Sequence, residues 1–209
     1  MVVEIWSDIA CPWCYVGKRR FEAALAGFDH EVEVVWRSFE LDPGAPAERE
    51  LSGPEHLAEK YGMSVEEARA RQAQMAQMAV GDGLELNFER VRAGNTFDAH
   101  RLVHLAAAHD RQDAMKERLQ RAYLTEGELI SDHETLARLG AEVGLPADEV
   151  REMLAGDRYT AEVRDDERLA QEIGITAVPT FVVDRRVAVA GAQQPEVLRQ
   201  LLERGLPVS

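Results

Sequence analysis

The chain opens with a short apolar run, Val2 to Trp6, of strand composition. A second run follows in which Val32, Val34 and Trp36 alternate with Glu33 and Val35, as in a half-buried strand. Between the two, Cys14, Gly17, Phe21, Ala24, Leu25 and Phe28 fall on one helical face, while Lys18, Arg19 and Glu22 fall elsewhere. Pro12 stands where a first-turn proline is tolerated, and Gly27 where a terminating glycine belongs. This opening predicts strand, helix, strand.

The far end predicts strand, strand, helix. Thr180 to Val183 is rich in β-formers, Asp184 to Arg186 reads as a turn, and Val187 to Ala190 as a second strand. Pro195 then opens a helix with Val197, Leu198, Leu201 and Leu202 on one face, stopping near Gly205. From about Asp42 to Gly174 the strand pattern disappears. Capping boxes at Ser64-x-x-Glu67 and Ser131-x-x-Glu134 each precede a periodic segment, Asn95-Thr96 marks another helix start, and Gly144 and Gly174 mark stops. The stretch Leu41 to Pro46 is the best linker candidate. Each outer piece is too small to bury a sheet alone. The pattern therefore predicts an α/β chain: one sheet domain built from residues 1–41 and 175–209, with an all-helical insertion over 42–174.

Composition narrows the function. The 209 residues carry 24 Lys plus Arg against 38 Asp plus Glu, a net charge of −14. Such a surplus repels phosphates, which argues against nucleic acid or an anionic membrane as partner. No stretch is apolar for long enough to span a bilayer. Met1 to Ala10 lacks the basic start and extended apolar run of a secretory signal, so the expected compartment is the cytoplasm.

Two cysteines, Cys11 and Cys14, make up the whole complement. A disulfide between them would close too small a loop to stabilise a fold much, so the pair points to chemistry. Cys11-Pro12-Trp13-Cys14 follows a strand and opens a helix. The unpaired N–H groups and positive dipole end at that point favour a thiolate. The i, i+3 spacing puts the second sulfur on the same face. Cys11 is then the exposed, attacking thiol and Cys14 the more buried, resolving one. The competing reading is a metal site: His100 and His104, i, i+4 in a helix, complete a Cys2His2 set on paper. Their separation from the cysteines fits no compact finger, so no metal is expected. Pro179 stands at the first residue of a strand, an allowed site, where an X–Pro bond is ordinarily trans.

A Cys-x-x-Cys after the first strand and a Val178-Pro179-Thr180 before a late β-β-α unit resemble the thioredoxin fold. The helical block between the halves resembles the DsbA branch of it. More narrowly, Ser7-Asp8-x-x-Cys11-Pro12-Trp13-Cys14-Tyr15-x-Gly17, Phe39-Glu40-Leu41-x-Pro43, Asn95-Thr96-x-x-Ala99-His100-Arg101-Leu102 and Gly191-Ala192-Gln193 resemble the FrnE-like DsbA-family oxidoreductases. The same superfamily includes 2-hydroxychromene-2-carboxylate isomerases and kappa-class glutathione transferases. The resemblance implies a cis Val178–Pro179 bond facing the cysteines, with the Val178 backbone free to pair with an extended substrate. It implies disulfide exchange or isomerisation on a disulfide-bearing protein or small thiol, with an external thiol reductant, no bound cofactor, glutathione as a candidate co-substrate and polyketide biosynthesis as a candidate setting. The alternative it leaves open is a glutathione-dependent isomerase or transferase on a small aromatic.

The chain departs from its relatives in two places. Ile5 stands where thioredoxins and DsbA carry a buried acid, and Ala177 where the family often has glycine. Asp8 is the nearest carboxylate to the cysteines in sequence; it either accepts the Cys14 proton or caps a loop. Trp13 either forms an apolar platform for substrate or packs inward. Met75 and Met78 read as a core stripe, with an adaptable substrate surface as the alternative. The Asn95 to Leu102 block would bring His100 to the active-site groove as a substrate contact.

Overall fold

The computed structural model describes residues 1–206. Its order is β1 (Val2–Ser7), α1 (Pro12–Leu25) and β2 (Glu33–Ser38), then α2 (Gly53–Tyr61), α3 (Val65–Val80), α4 (Phe97–Ala107), α5 (Gln112–Arg121), α6 (His133–Glu142), α7 (Ala147–Ala155) and α8 (Thr160–Glu172). It closes with β3 (Thr180–Val183), β4 (Val187–Ala190) and α9 (Pro195–Gly205). No strand interrupts the stretch from 42 to 174. The strands from the two ends form one sheet in the order β2-β1-β3-β4, with β1 parallel to β2 and the other neighbours antiparallel. This is a thioredoxin fold with a helical insertion. No helix among the described residues is long and apolar enough to cross a membrane.

β1 lies inside the sheet and is covered on both faces, which explains its unbroken apolar run. Val3 and Ile5, with their partners Val183 and Phe181, join the main core beneath α1 and α9; Trp6 and Val182 pack with Ala170 of α8 on the other face. The main core continues into the helical block through Leu102, Leu105, Leu119 and Leu139. Packing thus runs across the expected boundaries at 41/42 and 174/175. Residues 207–209 of that expected domain lie outside the described residues.

Polar pins fix the helices to the sheet. The Gln112 side chain forms two 3.0 Å hydrogen bonds with the Trp36 backbone, supplying partners on the edge strand β2. Asp113 accepts from the Trp36 indole at 2.9 Å. On α8, Asp166 accepts from Ser38 N–H at 2.9 Å and pairs with Arg37 at 3.0 Å. Glu40, its side chain fully buried, pairs with Arg164 at 2.7 Å, and Arg164 also reaches Glu167 at 2.6 Å.

Local signals fared unevenly. The Ser64–Glu67 capping box is present, and Gly144 and Gly174 close their helices at φ 90 and φ 77. The box expected at Ser131–Glu134 is not formed: Asp132 is the N-cap, accepting from Thr135 N–H at 2.8 Å, while the Ser131 hydroxyl turns to the Ala47 carbonyl. Either neighbour can cap by sequence, and the loop claims the serine. Asn95 acts one residue earlier than a cap, accepting from Phe97 N–H at 2.8 Å.

Candidate active site

Cys11 is the N-cap of α1 and Pro12 its first residue, so the helix begins at the first sulfur. The two sulfurs are 3.4 Å apart and both are free thiols. Their environments pull them in opposite directions. The Cys14 thiol donating to Cys11 holds Cys11 below the usual cysteine range; burial and the Asp8 charge oppose this, while the Cys14 and Trp13 N–H groups add to it. Burial pushes Cys14 well above that range, and the neighbouring Cys11 pushes it further, against Lys116 and Ser7. A thiol of lowered proton affinity at the helix mouth and one of raised affinity behind it is the order that disulfide exchange requires.

Cys11 is not the exposed residue that helix position alone suggested. It is 5% exposed, against 0% for Cys14, with the Val178 carbonyl 4.0 Å from its sulfur and residues of α2 and α3 lining the cavity in front of it. What remains open is a cavity of about 720 Å³ with Cys11, Pro12 and Trp13 on its wall. Leu57, Met75, Met78 and Phe88 make the cavity apolar, and Trp13, Leu41 and Tyr61 rim it with 44, 44 and 62% of their surface exposed. Met75 and Met78 therefore touch the cavity as well as the core. Arg71 and His56 are the lining groups able to carry positive charge, and the lining holds no carboxylate. His56 Nδ1 and Gln72 Oε1 are buried there without a partner among the described residues.

The Val178–Pro179 bond is cis, and the Val178 carbonyl oxygen lies 4.0 Å from the Cys11 sulfur. The Val178 N–H has no partner among the described residues. Gly17 makes the approach of α1 to this loop feasible: a Cβ there would sit 2.8 Å from Pro179 Cγ.

His100 lies away from the groove where it was expected, and Asp8 takes the loop-capping role that was one of its two readings. His100 is 1% exposed, does not line the cavity, and sits with Nε2 3.3 Å from Asp8 Oδ1. Asp8 is engaged as a loop clamp, accepting from Leu41 N–H at 2.8 Å and Ala10 N–H at 3.3 Å. Burial alone would raise the Asp8 carboxyl, but His100, Leu41 N–H and Lys116 together hold it below the usual range. His104 is bound to Ser38 and Asp166, remote from the cysteines in its bonding, so the zinc set does not assemble. The described residues contain no cluster of three or more metal-ligating side chains.

The residue that sequence reasoning missed is Lys116, 1% exposed, whose ammonium donates to the Ser7 carbonyl at 3.0 Å. It lies 5.6 Å from the Trp36 ring. The available signal was its place on an apolar helical stripe with Gln112, Met115 and Leu119, where a solvated lysine does not belong.

A thioredoxin fold holding a vicinal dithiol at a helix N-terminus, opposite a cis-proline loop, defines a class of thiol oxidoreductase. Comparison with known proteins agrees. The DSBA-like thioredoxin domain matches residues 2–203, and the chain belongs to that family. It is 31% identical to the uncharacterised protein YwbO of Bacillus subtilis, over 96% of this chain and 94% of the other. Its structure is similar to that of a probable DsbA oxidoreductase of Streptomyces coelicolor, with TM-score 0.94 and 46% identity, covering 100% of this chain and 93% of the other. The cytosolic disulfide reductase DsbM of Pseudomonas aeruginosa, 24% identical with TM-score 0.67 over 98% of each chain, shares the fold. The protein is a DsbA-like oxidoreductase.

Proposed function

We propose that this protein reduces or isomerises disulfides through its Cys-Pro-Trp-Cys dithiol. Cys11 attacks a substrate disulfide and forms a mixed disulfide; Cys14 attacks Cys11 and releases the substrate thiol. The observation that carries this reading is the 3.4 Å sulfur pair with opposed proton affinities. In a reducing cytoplasm such a pair rests as the dithiol, which favours reductase or isomerase duty over oxidation. An external thiol returns the pair to that state, and no bound cofactor is needed. The unpartnered Val178 N–H supports main-chain pairing with an extended disulfide-bearing segment. The Arg71 and His56 edge supports a carboxylate-bearing thiol such as glutathione as the small co-substrate. The polyketide setting rests on resemblance alone.

The apolar cavity also supports a second reading, a glutathione-dependent isomerase or transferase on a small aromatic. That chemistry needs one activated hydroxyl or thiol and a glutathione site, and no resolving cysteine. Cys14→Ser separates the two. The oxidoreductase reading predicts that the variant accumulates mixed disulfides at Cys11 and loses turnover in dithiol-driven insulin reduction. Retained activity on a small aromatic, with no trapped species in mass spectrometry, supports the transferase instead.

A further inference from the structure

Tyr123 is a buried phenol on the cavity wall to which the exchange chemistry above gives no task. It is 6% exposed and lines the cavity together with Cys11. Its hydroxyl makes no hydrogen bond among the described residues, yet it is not one of the unpaired polar atoms sealed from solvent. A hydroxyl left unpaired in an apolar wall costs free energy that a phenylalanine would avoid. Its seat is nevertheless rigid. Tyr123 stands on one turn of π-helix, Ala122–Glu126, a rare form frequent at functional sites. Asn87 holds that turn, its N–H donating to the Leu124 carbonyl at 2.8 Å and its side-chain amide to the Thr125 carbonyl at 2.9 Å. The Thr125 hydroxyl donates to the Glu85 carbonyl, and Gly127 closes the turn at φ 76, pressed against the Arg90 carbonyl.

Polar groups are graded along the wall. Arg71 and Gln74 are exposed, His56 and Gln72 are half-buried, and Cys11 and Tyr123 are the buried polar side chains. The charges that reach the phenol place it at one part of that wall. Asp8 accepts from the N–H groups of Ala10 and Leu41, and the Arg49 N–H donates to the Ala93 carbonyl; Ala10, Leu41 and Ala93 all line the cavity. Burial, helped by the Asp8 charge and opposed by Arg49, pushes the Tyr123 hydroxyl above the usual phenol range, so it stays a hydrogen-bond donor at neutral pH.

We propose that Tyr123 is a substrate-binding residue whose hydroxyl donates to an amide carbonyl near the reacting sulfur of a peptidic thiol or disulfide held in the cavity. This rests on the oxidoreductase reading above and names the substrate class of the same site. A neutral donor at depth suits a neutral acceptor. A carboxylate placed there would lose its hydration, and the buried part of the wall carries no cation to replace it. The carboxylate of such a substrate belongs at the exposed end of the wall, with Arg71. Two polar contacts at opposite ends of an apolar cavity orient the substrate, and the deep one brings its sulfur to the Cys11 end.

The test is Tyr123→Phe, which removes one oxygen and keeps the ring. Reduction of glutathione disulfide is compared with reduction of dithiodipropionate, which keeps the carboxylates and lacks the amides. The expected result is a KM for glutathione disulfide raised about tenfold with kcat within twofold of wild type, as for one lost hydrogen bond. The KM for dithiodipropionate should not move, and the pH profile of Cys11 alkylation should be that of wild type, which a merely structural role would not predict. Unchanged KM for both disulfides would overturn the proposal, and so would an equal loss with both. A wild type that reduces neither overturns the oxidoreductase reading itself. The Tyr123 assignment is then decided by calorimetry with S-methylglutathione, which binds without reacting. Its Kd should rise about tenfold in Tyr123→Phe; equal affinities, or no binding to the wild type, contradict the assignment.

Discussion

The two sides of the cysteine pair are built from different materials. On the Cys11 side, α2 and α3 offer methionine, tyrosine and glutamine around a cavity of about 720 Å³, with Trp13, Leu41 and Tyr61 left exposed at its rim. Methionine and aromatic rings accommodate many shapes and demand few hydrogen bonds. Away from the cavity, Ser7, Asp8, His100 and Lys116 are each 1% exposed or less, with Asp8 against His100 of α4 and the Ser7 carbonyl accepting from Lys116 of α5. The difference separates a partly exposed apolar lining, which tolerates many shapes, from buried groups held in place by hydrogen bonds.

A substitution that spans both sides should do the most damage. Gly17→Ala places a methyl group 2.8 Å from Pro179 Cγ, and either α1 or the proline loop must move. We expect a loss of roughly 1–3 kcal/mol in denaturant unfolding, as for other overpacked contacts, with exchange activity down at least tenfold because the sulfur and the Val178 carbonyl separate together. A variant as stable and active as the parent would show that the contact is not tight.

The cavity side should respond in binding alone. Trp13→Ala removes an exposed ring from the rim and should raise KM for a disulfide substrate several-fold, about 1 kcal/mol of lost contact, while leaving kcat near its original value. A fall in kcat with KM unchanged would blur the distinction between the sides.

Glu40 provides a buried charge away from the cysteines. Burial and the neighbouring Glu167 raise it to about 7, above its ordinary 4.5, despite Arg164. For a carboxyl raised in the folded state, stability is present below the ordinary value and is lost as pH climbs through the folded one. Glu40→Gln should therefore match wild type near pH 4.5 and exceed it by about 1–3 kcal/mol at pH 8, measured by urea unfolding. Exchange activity should not change. A variant less stable at pH 8 would mean that the Arg164 pair outweighs the cost of burying the carboxylate.

The sequence carried the sheet and the dithiol, and for identifiable reasons. β1, β3 and β4 are short apolar runs between turns, and the strand–cysteine–helix order places both sulfurs without any long-range information. The burial of Cys11 was not legible, since its sulfur faces the Val178 carbonyl, 167 residues away in the chain, and a cavity lined in part by α2 and α3. Lys116 was only half legible: its stripe with Met115 and Leu119 marks it as buried, but its partner, the Ser7 carbonyl of β1, is set by the fold. Asp8 and His100 were seen, but their tasks were set by Leu41 and by each other rather than by their distance from the cysteines along the chain.

The exchange reading rests most heavily on the opposed proton affinities of Cys11, lowered, and Cys14, raised. Ultraviolet thiolate absorbance of the reduced protein against pH, compared with Cys11→Ala, tests it most directly. The account predicts a first transition well below the free-cysteine value of about 8.5, absent in Cys11→Ala, and no second thiolate until well above it. A single transition near or above 8.5, or an early one that survives Cys11→Ala, would contradict it.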